Sequence, residues 1–182
     1  MNIKLQKSTL HKQSKIAITG SKSESNRLLL LQALYPHITI ANISNSDDAT
    51  LMQKALKSTD NVKDIHHAGT AMRFLTAYYA TQNGQEIMLT GSSRMQERPI
   101  KILVEALQQL GADIQYTNNE GYPPLRIKGQ KLQKSQVTLA ANVSSQYISA
   151  LLLIAPTLQN GLTLTLDGKI TSVPYIKMTL SL

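Results

Sequence analysis

Gly20-Ser21-Lys22-Ser23-Glu24-Ser25-Asn26-Arg27 is the stretch on which the reading of this chain turns. An alternating run, Lys15-Ile16-Ala17-Ile18-Thr19, precedes it and reads as a strand. Leu28 to Leu34 follows and reads as a helix that is apolar almost all round, hence buried. Between the two lie one glycine, three serines, a lysine and an arginine. Glycine permits a tight turn, and serine caps a helix while adding hydroxyl donors. The free N–H groups and positive dipole of a helix start favour negative charge. Lys22 adds a point charge and Arg27 a planar fork suited to phosphate or carboxylate. A Walker A loop is excluded, because its second glycine and Gly-Lys-Ser/Thr order are missing.

The same grammar recurs along the chain. Strands are expected at 3–9, 15–19, 37–41, 86–90, 113–116, 125–128, 136–139 and 161–166, with a polar turn at His11–Ser14. Helix starts are expected near Ser23, Ser46, Thr70, Arg98, Ser144 and Pro174. Ser46 reads as an N-cap with Asp47 and Asp48 on the positive end of its helix, a structural arrangement, since no third acid completes a metal site. In Ala68-Gly69-Thr70-Ala71-Met72-Arg73, glycine and threonine supply turn and cap. Ala71, Phe74, Leu75 and Tyr78 then form one buried stripe. His66 and His67 read as turn histidines. Ile100, Leu103, Val104, Leu107 and Leu110 give the next helix an apolar face ended by Gly111. Arg94 lies outside that stripe, free to reach a ligand, whereas Arg98 is expected to pair with Glu97 or Glu105. Ser144-Ser145-Gln146 places a third cluster of short polar groups at a helix start. The pattern is a loose repeat of βαβ-type units. Loops gathered on one edge of such units make a cationic, hydroxyl-rich pocket.

Composition bounds the function. With 182 residues, 42% apolar and 16% charged, the chain has the make-up of a globular protein with an aliphatic core, since it has no Trp and one Phe. No apolar run approaches a membrane span and the start has no signal-like segment, so a cytoplasmic location and no membrane partner are expected. Zero Cys excludes disulfides, thiolate metal sites and cysteine nucleophiles. A net charge of +8 calls for an acidic partner. Scattered bases without interleaved aromatics argue against nucleic acid and leave small acidic metabolites, or an acidic remainder of a larger protein.

Five segments, in order and in rough spacing, resemble the 5-enolpyruvylshikimate-3-phosphate synthase family: Gly20–Arg27, Ala68–Arg73, Leu89-Thr90-Gly91-Ser92-Ser93-Arg94-Met95-Gln96-Glu97-Arg98-Pro99-Ile100, Ser144–Tyr147 and Ser172-Val173-Pro174-Tyr175-Ile176. The resemblance implies an α/β fold of repeated βαβαββ units, one lobe of two, with its third unit incomplete. It implies that residues 1–19 pack with a second lobe and that 20–182 form a truncated first lobe, so that the chain is an N-terminal fragment that could self-associate, of a family usually monomeric. The implied reaction moves the enolpyruvyl group of phosphoenolpyruvate to the 5-hydroxyl of shikimate 3-phosphate, towards chorismate and aromatic amino acids. No organic cofactor or metal is implied. By motif, Lys22 is the catalytic group and touches phosphoenolpyruvate, with Gly69 and Arg94. Ser23, Arg27, Ser144, Ser145, Gln146, Ser172 and Tyr175 hold shikimate 3-phosphate. His67 replaces the family's usual Asn, Phe74 a common Pro, and Lys177 the usual Asp, which alters a local ion pair. A related transferase acting on UDP-N-acetylglucosamine shares the architecture, but its reactive cysteine is missing here. The alternative outside enzymes is a non-catalytic module binding anions or nucleic acid.

Overall fold

The computed structural model of the chain describes residues 2–9 and 12–182. The elements run α1 (Lys22–Leu34), α2 (Asp47–Lys57), β1 (Val62–Asp64), α3 (Gly69–Thr81), β2 (Glu86–Thr90), α4 (Ser93–Gln96), α5 (Lys101–Gln109), β3 (Asp113–Tyr116), β4 (Leu125–Lys128), β5 (Gln136–Ala140), α6 (Ser145–Ile154), a 3-10 turn (Ala155–Thr157), β6 (Thr163–Asp167) and α7 (Val173–Leu180).

From β1 to β4 the chain completes one βαβαββ unit. Its sheet has the order β1-β2-β4-β3, with β1 parallel to β2 and β4 antiparallel to both β2 and β3. Alternation decides the faces. Ile87, Leu89, Leu125 and Ile127 point into the core, while Glu86, Arg126 and Lys128 point out. β5-α6-β6-α7 repeats the first part of that unit, with β5 and β6 paired in parallel.

α3 is the central element. Eleven of its thirteen residues are buried, and it packs against α6, α2, α1, α5, β2 and β4. The expected stripe is there, with Ala71, Phe74 and Leu75 buried and Tyr78 partly so, but burial extends round the helix. α5 buries Leu103, Val104 and Leu107 as expected, and Gly111 follows it with φ of 102°. The positive φ is the reason for glycine there.

Three expected strands did not form. Residues 3–9, 15–19 and 37–41 carry no strand, and 2–9 and 12–19 are exposed. Their alternation is real, since Ile3, Leu5, Ile16 and Ile18 recur at period two. Each of these side chains is nevertheless at least 72% exposed, so pattern without a pairing partner yields no ladder. The turn expected at His11–Ser14 begins outside the described residues. α1 also differs from expectation. Its deepest face is Ser25, Asn26, Arg27, Leu29 and Leu30, so the polar first turns are buried along with part of the leucine run, while Leu28, Leu31 and Leu34 are half-buried.

Candidate anion site at converging helix starts

The N-terminal ends of α1, α3 and α6 meet at one cavity of about 220 Å³, lined by Lys22, Ser23, Arg27, Thr70, Ser144, Ser145, Gln146 and Tyr175. Ser21 caps α1, its Oγ accepting from the Glu24 N–H at 3.4 Å. Ser144 caps α6, accepting from the Gln146 N–H at 3.3 Å. Gln146 Nε2 lies 3.3 Å from Thr70 Oγ1 as donor, tying α6 to the start of α3. Gly20 serves a close approach rather than a free turn. A Cβ there would strike the Asn42 carbonyl oxygen.

α3 is capped from outside. Thr70 was expected to cap it, but no side chain of its own segment does so. Asp48 Oδ1 accepts from Thr70 N–H at 3.0 Å and Ala71 N–H at 3.4 Å. Its other oxygen stands 3.8 Å from Lys22 Nζ. Asp48 therefore does more than sit on the dipole of its own helix. One carboxylate thereby links the starts of α1, α2 and α3. Ser46 caps α2 as expected, accepting from the Ala49 N–H.

Arg27 is 3% exposed. Its Nε donates to Thr179 Oγ1 at 2.7 Å, Nη1 to the Ser23 carbonyl at 2.7 Å, and Nη2 to Ser149 Oγ at 2.7 Å and the Tyr175 carbonyl at 3.3 Å. The guanidinium lies over the Phe74 ring at 5.4 Å and the Tyr175 ring at 6.0 Å. No carboxylate lies within 4 Å of it among the described residues. Burial lowers its pKa from the ordinary arginine value, partly opposed by Tyr175. A buried cation surrounded by neutral acceptors at a cavity wall is a place prepared for negative charge.

A second cavity of about 520 Å³ is lined by His67, Arg94, Met95 and Arg98. Arg98 does not pair with Glu97 or Glu105, contrary to expectation; Glu105 stands near Lys101 at 3.9 Å instead. Its guanidinium lies against Gly69, where a Cβ would come within 2.6 Å of Nη2 and 2.7 Å of Cζ. Arg73 is buried and internal, donating to the Gly69 and Pro99 carbonyls. Ser172 stands apart from both cavity linings. It precedes α7 in the left-handed region, φ 54°, and is exposed.

Residues 55–182 match the family model described as EPSP synthase (3-phosphoshikimate 1-carboxyvinyltransferase). The chain belongs to the EPSP synthase family. A 3-phosphoshikimate 1-carboxyvinyltransferase of Bacteroides fragilis is 55% identical over 168 residues, covering 92% of this chain and 41% of the relative. The enzyme so named from Colwellia psychrerythraea is 43% identical over 194 residues, covering 92% and 45% respectively. An EPSP synthase structure from Acinetobacter baumannii superimposes with a TM-score of 0.72 at 22% identity, over 90% of this chain and 42% of that one, and so shares the fold. The chain thus spans less than half the length of these EPSP synthase relatives.

Lys22, Ser23, Arg27, Ser144, Ser145, Gln146 and Tyr175 share one cavity, Gly69 adjoins Thr70 on its rim, and Arg94 lines the neighbouring one. Sequence reasoning missed Thr70 as a lining residue, Asp48 as the cap and Arg98 as a cavity cation. Thr70 was legible as a hydroxyl beside Gly69. The other two needed contacts across 22 and 29 residues of sequence. His67 lies 3.2 Å from Asp47 Oδ2 through Nε2, and its Nδ1 stands 2.6 Å from that of His66. Phe74 leaves α3 unbroken and packs under Arg27. Lys177, exposed on α7, has no acid within 4 Å among the described residues. Among these residues no group of three His, Asp or Glu could hold a metal, and no helix is long and apolar enough to cross a membrane.

Proposed function

We propose that this chain supplies the shikimate-3-phosphate side, and part of the phosphoenolpyruvate side, of a 3-phosphoshikimate 1-carboxyvinyltransferase. The observation that carries the reading is Arg27, buried at the wall of a hydroxyl-lined cavity without a carboxylate partner among the described residues. Lys22, half-exposed at the same cavity, holds phosphoenolpyruvate and serves the reacting hydroxyl. Ser23, Ser144, Ser145, Gln146 and Tyr175 offer the donors a phosphorylated polyol requires. Gly69 and Arg94 bind the phosphorylated acid, and Ser172, outside the cavity lining, belongs to the polyol site by its motif alone. The location is the cytoplasm, and neither cofactor nor metal takes part.

The chemistry sets a limit on what these residues do by themselves. Enolpyruvyl transfer protonates the methylene of phosphoenolpyruvate, adds a hydroxyl to the adjacent carbon and expels phosphate. It needs a proton donor, a base and a dry cleft. The cavity wall carries Lys22 but neither His nor carboxylate. The other acid–base groups come from a second lobe of the kind that the longer relatives have room for, against which residues 1–19 pack as a separate N-terminal segment. Calorimetry on the 182-residue chain tests this. Weak heat with shikimate 3-phosphate, lost in Gln146→Ala, together with no turnover, is expected. Tight phosphoenolpyruvate binding by the chain with no polyol phosphate present contradicts it.

A further inference from the structure

Arg98 is exposed, yet it lines a cavity instead of pairing with an acid. It shares the cavity of about 520 Å³ with Arg94, His67 and Met95. Its guanidinium rests on the backbone of Gly69, at the positive end of the thirteen-residue helix α3. Its backbone is held on both sides. The Arg98 N–H donates to the Met95 carbonyl at 3.0 Å. The carbonyl of the next residue, Pro99, accepts from Arg73 Nη2 and from Tyr147 Oη, each at 2.8 Å.

Positive groups gather at this cavity. A helix start repels a cation, and so does a neighbouring guanidinium. Arg73 registers the crowding. Its pKa is lowered chiefly by burial, which Tyr147 opposes, and the charge of Arg98 adds a smaller lowering. No carboxylate lies within 4 Å of Arg94 or Arg98 among the described residues, and the nearby acid, Asp48, is already engaged by Lys22 and two α3 amides. A small dianion can take one fork on each side, and two planar forks suit a molecule bearing both carboxylate and phosphate.

We propose that Arg98 is a second guanidinium for the phosphorylated acid of this site, gripping it opposite Arg94 across Gly69. The proposal rests on the reading of the site given above and adds a binding residue to it. The test is NMR titration of the full chain with inorganic phosphate and with phosphoenolpyruvate at low salt, following the Gly69 amide and the arginine Nε signals. Arg98→Gln and Arg94→Gln are each expected to weaken binding about tenfold or more, the range for losing a charge-assisted hydrogen bond. Arg98→Lys keeps the charge, loses the fork, and falls between. Arg126→Gln, on the outer face of the sheet, removes one positive charge and leaves affinity unchanged. If Arg94→Gln weakens binding while Arg98→Gln does not, Arg98 has no such role although the site reading survives. If Arg126→Gln weakens binding as much as Arg98→Gln, net charge alone is at work and the proposal fails. If Gly69 does not respond in the wild-type chain up to tens of millimolar anion, the proposal and the site reading fall together.

Discussion

Removing the Asp48 carboxylate should loosen three helix starts at once, and the cost can be assembled from its contacts. In Asp48→Ala, α3 loses the acceptor for the Thr70 and Ala71 amides. An N-terminal cap of this kind contributes about 1 kcal/mol. Loss of the negative charge beside the α2 and α3 starts adds about 0.5 kcal/mol. The contact with Lys22, at 3.8 Å and with the lysine side chain 50% exposed, adds at most about 0.5 kcal/mol after solvent screening. The sum is about 2 kcal/mol, or about 4–8 °C in Tm for a chain of this size. Asp48→Asn keeps an acceptor oxygen and loses the charge, so it should cost about 1 kcal/mol or less. Urea denaturation followed by far-UV circular dichroism, with calorimetric Tm as the second probe, measures both. Equal losses in the two variants would refute the capping argument. A loss under about 0.5 kcal/mol for Asp48→Ala would refute the claim that one carboxylate organises the three starts.

Other outcomes follow from the same contacts. Arg27→Leu should cost roughly 3 kcal/mol, because Ser149, Thr179 and two carbonyls lose a shared donor, and hydrogen exchange should show α7 opening first. Tyr116 Oη is buried without a partner among the described residues, so Tyr116→Phe should be neutral or stabilising by up to about 1 kcal/mol in urea melts. Burial pushes the Tyr116 hydroxyl up to about 12 and also raises those of Tyr78 and Tyr79. The unfolded chain ionises tyrosine near pH ~10. The stabilisation from keeping these hydroxyls neutral is complete below that pH and is lost as pH rises through the folded values, so Tm should fall in that range, less steeply in Tyr116→Phe.

From α3 to β4 the unit was legible because its information is local, whereas the three-residue β1 was not among the expected strands. Ile87 and Leu89 alternate, Ile100 to Leu110 follow helical spacing, and Gly111 marks the stop. The cavity was legible for a related reason. Ser23, Ser144 and Gln146 announce helix starts by their own chemistry, and convergence of those starts is a property of repeated βαβ-type units. What the sequence concealed depends on contacts made across the chain. Residues 15–19 and 37–41 look like strands, but a strand also requires a neighbour, and none is supplied. Arg27 looked like a free fork, whereas the fold buries it against Ser149 and Thr179, more than a hundred residues away. Arg98 looked bound to its local acids, yet Gly69, with no Cβ to obstruct it, leaves room for the guanidinium at the start of α3.

The most direct test of the account is amide-shift mapping of the chain titrated with shikimate 3-phosphate. The account predicts shifts concentrated at Ser23, Thr70, Ser145 and Gln146, and none at the opposite ends of α1 and α3, where Leu34 and Gln82 line a different cavity. Shifts scattered over the basic surface, or gathered at Leu34 and Gln82, would contradict it.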